Sequence, residues 1–187
     1  NAMGLAQSNA KRMLAYSSVS HAGYLALIFF GAHSLSLYNL AFYLFAYSLS
    51  TIGVFLTLIW VEKIKRETSF EAFKGLAKTE PIAAVATAVS LLSMAGIPLT
   101  AGFVAKFSIF AQAMNGAAFL VLIAVIGSAL SIAYYLKLII AMFFYKENSF
   151  KTAEKISFTY KIVAIFIIIA LIILGVYPET FKILFGL

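Results

Sequence analysis

Lys106 carries the clearest chemical potential in this chain. It stands eight residues after Pro98 in the stretch Ser93–Phe107, SMAGIPLTAGFVAKF, where no other side chain is ionisable. A charged lysine at the centre of a bilayer costs roughly 2.5–3.5 kcal/mol, and desolvation works against its protonated form. An amine that loses and regains a proton near neutral pH is a relay group. The plainer reading is an amine that snorkels to the surface or pairs with a carboxylate. Upstream of it, Gly96 loosens the backbone. Pro98 has no N–H, and its ring clashes with the Met94 carbonyl. A helix broken there frees carbonyls that must face protein or water rather than lipid, and broken helices recur where membrane transporters bind ions.

Three further groups of polar residues fall inside apolar stretches. Ser17, His21 and Tyr24 share a helical face at i, i+4, i+7; His21 can shuttle a proton or make an interhelical hydrogen bond. Tyr43, Tyr47, Ser50 and Thr51 form a polar stripe that either orders water or holds helices together. Lys137, with Ser131 and Tyr134 on its side, either relays or snorkels. No Asp or Glu lies within any apolar span, so carboxylate partners are expected from elsewhere.

Several kinds of chemistry drop out. The chain has no cysteine, which excludes thiolate-held iron–sulfur or zinc sites and disulfides. A haem needs facing axial ligands, whereas His21 and His33 stand about 18 Å apart by helical rise. No Walker loop or dinucleotide fingerprint is present. Redox and nucleotide chemistry are therefore not expected on this chain, which should bind no metal and no cofactor.

The elements that must position these residues are membrane helices. Of 187 residues 63% are hydrophobic and 11% charged, against roughly 25% charged in a soluble domain. The net charge of +7 is better explained by cations flanking apolar runs than by nucleic-acid binding. The expected fold is all-α, a polytopic transmembrane bundle with spans near Met13–Gly31, Leu40–Val61, Pro81–Met114 (broken), Ala117–Tyr145 and Ile162–Tyr177, and with a turn at Asn115-Gly116. Charge fixes how many crossings the broken region makes. Basic clusters at Lys11-Arg12, Lys63–Lys78 and Lys146–Lys161 mark one face, the cytoplasmic one. They share that face only if Pro81–Met114 crosses once, as one long discontinuous helix. Five crossings result, within a single membrane domain covering residues 1–187.

Two stretches resemble the antiporter-like membrane subunits of respiratory complex I. One is Asn9–Tyr24, NAKRMLAYSSVSHAGY; the other is Leu92–Pro98 continuing through Gly102–Phe107, LSMAGIP and GFVAKF. Lys106-Phe107 looks like the subunit N branch of that family, and Asn1–Gln7 looks like its native approach to the first helix. The resemblance implies the final five helices of a longer bundle, about two-fifths of the usual length, with Lys106 on the family's central hydrophilic axis. It implies a proton-translocating subunit in the bacterial cytoplasmic membrane, with lipid and other membrane subunits as partners. NADH, flavin, iron–sulfur clusters and quinone would belong to those other subunits, and His21 and Lys137 would be secondary relays. The second span departs from some sister subunits, with Tyr43, Tyr47 and Thr51 standing where those carry histidines and a lysine. Multisubunit cation/proton antiporters and related membrane-bound hydrogenases or dehydrogenases share the same helices and are the alternative; a purely structural bundle is a third reading.

Overall fold

The computed structural model describes residues 1–30, 37–145 and 156–185. A short α1 (Ala2–Leu5) leads into α2 (Ala10–Ala26), which begins where the Asn9 side chain accepts the Arg12 N–H at 3.1 Å and ends in a 3-10 turn, Leu27–Phe30. α3 spans Leu37–Lys65. A 3-10 turn (Phe70–Phe73) and α4 (Leu76–Thr79) connect it to α5 (Pro81–Ala95). α5 starts on a proline, where the missing N–H costs no helical bond. Then come α6 (Ala101–Phe144), α7 (Phe158–Val176) and α8 (Glu179–Phe185). Among the described residues the only β-type pairing is an isolated bridge between Asn9 and Ser69.

The helices outrun the apolar limits. α3 continues through Glu62, Lys63 and Lys65, because charges beyond the hydrocarbon edge do not end a helix. α7 begins at Phe158, ahead of Ile162, because Ser157 caps it by accepting the Tyr160 N–H at 3.3 Å. Gly31, His33 and Lys146–Lys155 lie outside the described residues.

α6 is 44 residues long but is not a single rod. Lys106 Nζ lies 2.8 Å from Ser128 Oγ, 22 residues on, whereas a straight helix would separate them by about 33 Å. The chain therefore folds back between them, and Ala117 (φ −149°, ψ 44°) is the one non-helical residue inside α6. The reversal falls one residue after the Asn115-Gly116 turn signal.

Hydrogen bonds also settle the direction of the broken helix. α3 pairs with α5 through Thr57–Ala83, Thr57–Thr87 and Ser50–Ser93, and then with the first arm of α6 through Asn39–Gln112. Descending α3 meets ascending residue numbers throughout, so α5 and that arm run the same way as one interrupted crossing. Among the described residues, four helices are long and apolar enough to cross a membrane. With α6 counted as two arms, the first joined to α5, the described residues make five crossings.

The described parts of the three basic regions lie at one end. Lys11 Nζ lies 2.7 Å from Glu62 Oε1, Lys74 sits 4.3 Å over the Tyr145 ring, and Lys161 Nζ is 3.5 Å from Glu80. An exposed pair such as Lys11–Glu62 adds about 0–1 kcal/mol, so it reports topology more than stability. One apolar core lies toward that end, around Met13, Leu58, Phe73 and Leu138; the other lies beyond it, around Phe42, Ile109, Val121 and Leu171. Between them runs a buried polar layer of Ser17, His21, Ser50, Ser93 and Lys106.

Candidate functional site

The break is built by its own sequence. Gly96 takes a left-handed conformation (φ 84°) and caps α5, its N–H reaching the Leu92 and Ser93 carbonyls while Ile97 N–H reaches Leu92. Leu99, at φ 71°, is a strained left-handed leucine on the far side of Pro98. Glycines let neighbouring backbone close around it. A Cβ at Gly102 would land on the Ser93 carbonyl, and one at Gly175 of α7 would land on the Thr100 backbone. Gly102 N–H is also held by Ser93 Oγ at 3.1 Å.

Two carbonyls lose their helical donors at this point, those of Met94 and Ala95. Ala95 O accepts Lys106 Nζ at 2.9 Å. The same amine donates to Ser128 Oγ at 2.8 Å, and Ser128 Oγ in turn lies 3.3 Å from Ala95 O. Lys106 is 5% exposed and its Nζ stands 5.1 Å from the centre of the Tyr24 ring. It does not snorkel.

His21 sits across from it. Its Nδ1 is 2.8 Å from Tyr43 Oη, its ring stacks on Tyr47 with centroids 4.5 Å apart, and it also hydrogen-bonds the Met94 backbone. The tautomer of the imidazole sets whether Tyr43 donates to Nδ1 or accepts from it. His21, Tyr43, Tyr47, Ser50, Ser93 and Lys106 line one cavity of about 10 Å³, the lower limit for a single water. The stripe on α3 thus encloses the histidine of α2, and the freed carbonyls are shared between the histidine and the lysine. A larger hollow of about 300 Å³ runs from Lys11 past Ser18 and Thr51 to Tyr47 and Met94, which also wall the small cavity.

Lys137 stands apart. It is exposed and donates to the Leu5 carbonyl at 2.9 Å, nine residues along its helix from Ser128. Ser17 hydrogen-bonds Tyr135, which ties α2 to the second arm of α6.

The sequence reading missed two participants. Ser128 meets Lys106 only because α6 folds back, and no local pattern announces that. Glu80 reads as one charge of a polar stretch, yet it is 6% exposed, accepting Ile156 N–H at 3.1 Å and facing Lys161. Its one local signal is its position directly before Pro81, at the head of an apolar helix. Replacing Ser128 by alanine should remove one of the two hydrogen bonds that hold the Lys106 amine and lower stability by about 0.5–1.5 kcal/mol, while Ser128→Thr should retain it. Thermal unfolding of the full-length protein in detergent checks both.

A polytopic helical bundle with a discontinuous crossing and a buried, hydrogen-bonded lysine at the break defines a helical membrane protein with an ionisable group in its interior. The chain belongs to the NADH:quinone oxidoreductase/Mrp antiporter transmembrane family, which matches residues 1–131. It is 40% identical over 182 residues to NADH-quinone oxidoreductase subunit N of Flavobacterium psychrophilum, covering 96% of this chain and 39% of that protein. It is 32% identical to F(420)H(2) dehydrogenase subunit N of Methanosarcina mazei, covering 97% of this chain and 39% of that one. Among solved structures it resembles a chain of respiratory complex I from Thermus thermophilus with bound aureothin, with TM-score 0.79 and 33% identity over 94% of this chain and 40% of that chain. The chain therefore spans about two-fifths of the length of these relatives. Its apolar helices and its family make it a multi-pass protein of the bacterial inner membrane.

Proposed function

We propose that this chain is the C-terminal part of an antiporter-like, proton-translocating membrane subunit of a respiratory NADH:quinone oxidoreductase. The observation that carries the reading is Lys106, buried mid-bundle with its amine on a carbonyl freed by the helix break and on the Ser128 hydroxyl. Two positive charges around so small a cavity repel each other, so Lys106 and His21 hold one proton between them. Tyr43 and a single water can pass it across. Lys137 is a secondary relay nearer the basic face. Electron transfer, with NADH, flavin, iron–sulfur clusters and quinone, belongs to other subunits of the assembly and reaches this one as a change of neighbouring charge or conformation.

A second reading, a subunit of a multisubunit cation/proton antiporter or of a related membrane-bound dehydrogenase, draws on the family's own breadth and on the Methanosarcina relative. Affinity purification of the full-length protein from its native membrane separates the two. NADH-oxidising, quinone-reducing activity should co-purify. A preparation without flavin or iron–sulfur partners that restores sodium tolerance to an antiporter-deficient host would favour the second reading instead.

A further inference from the structure

A second line of buried polar groups climbs from the Lys106 cavity to the basic face, through Thr87 and Ser90, which play no part in the site described above. On α5, Thr87, Ser90 and Ser93 follow at three-residue steps, which puts their side chains on one helical face. All three are 0% exposed, and the seam is closed by α3 and α7. At its outer end is Glu80, a buried carboxylate facing Lys161. Tyr160, close enough to feel the Glu80 charge, hydrogen-bonds Thr57 Oγ1 at 2.5 Å, and Thr87 Oγ1 reaches that same oxygen at 2.6 Å. At the inner end Ser93 Oγ receives Ser50 at 3.0 Å and lines the cavity shared with Lys106.

We propose that this seam is a proton path from the basic face to Lys106, with Ser90 as its moving link; the proposal rests on the relay reading of Lys106. Each hydroxyl along it has a choice of partners, which a hopping proton requires. Thr87 can donate to Thr57 or to the Ala83 carbonyl at 2.8 Å, and Thr57 can donate to Ala83 or pair with Tyr160. Ser90 is the exception that points to function. Its hydroxyl is buried without a hydrogen-bond partner, although a helical serine normally has the carbonyl one turn back available. It sits in the notch left by Gly53, where a Cβ would collide with it. Unpaired, and on the same face as Thr87 and Ser93, it is the hydroxyl of the seam that no partner holds in place. A proton taken up from water by Glu80 advances as each hydroxyl accepts one proton and releases its own, and the unprotonated Lys106 amine receives the last. Protein charge is otherwise unchanged, and the hydroxyls must turn back before the next passage.

Ser90→Ala and Thr87→Val test this in the full-length subunit within the assembled complex, in inverted membrane vesicles. Neither variant orphans a neighbour. Ser90 has no partner to lose, and Thr57 keeps Tyr160. Proton uptake and NADH oxidation are measured per assembled complex, in H2O and in D2O. Each variant should lower proton uptake about three- to tenfold with a larger solvent isotope effect, while Thr87→Ser should stay near the parent. Uptake at the parental rate in both variants, with Lys106→Met inactive, overturns the seam and leaves the relay standing; the hollow at Tyr47 and Thr51 would then be the access. Parental uptake in Lys106→Met as well would overturn the relay reading itself.

Discussion

Lys106→Met should leave the bundle folded and the complex assembled, while proton translocation through this subunit falls at least tenfold. The reason is the way the amine is bound. Lysine and methionine have similar unbranched stems, so the apolar part of the site stays filled. Removing a buried partner usually costs about 1–3 kcal/mol because it leaves a polar group unsatisfied. Here Ser128 Oγ already lies 3.3 Å from Ala95 O, so the two groups Lys106 leaves behind satisfy each other. The variant also removes the need to bury a cation. What it loses is the only ionisable group in Ser93–Phe107. Proton-to-electron stoichiometry in membrane vesicles, with assembly followed by immunoblot, is the measurement. A normal ratio in an assembled Lys106→Met complex would sink the relay.

Gly102→Ala should have the largest effect on the fold itself. The added methyl would overlap the Ser93 carbonyl. That is backbone, and it cannot rotate away as a side chain can. Overpacking costs typically about 1–3 kcal/mol, and here the displaced carbonyl belongs to the cap of α5, while Gly102 N–H holds Ser93 Oγ. The two half-helices would have to separate, and Lys106, one turn on, would leave Ala95. The amount of subunit in assembled complexes should fall several-fold. Gly23→Ala is the control, since a Cβ there meets nothing within 4 Å and the level should not change.

Much of the architecture was legible because membranes impose simple rules. Gly96 and Pro98 announced the break, and the three basic clusters required an odd crossing between Pro81 and the fold-back. The reversal was signalled by Asn115-Gly116 and occurs at Ala117. Lys106 and His21 could be singled out because ionisable groups are rare in apolar sequence. Their relation could not, since it depends on two carbonyls that only the broken backbone exposes. Ser128, 22 residues from Lys106, and Thr57, 30 residues from Thr87, were invisible for the same reason. Hydroxyl residues are common in membrane helices as interhelical contacts, so their types alone do not separate a contact from a path. On the polar stripe of α3, Tyr43 and Tyr47 contact His21, a relation set by how α2 packs on α3 rather than by either local sequence.

The height of the polar layer has an electrical consequence. Ser50 lies 12 residues from Glu62 at one end of α3 and 11 from Asn39 toward the other, by their numbers, so the cavity with Lys106 sits about halfway through the span. A unit charge carried across a full membrane potential of 100 mV gains or loses about 2.3 kcal/mol. A proton resting on Lys106 therefore feels about half of that, roughly a sevenfold change in occupancy per 100 mV. An energised membrane would itself pull on the lysine's proton, giving the amine a built-in gauge of the membrane potential.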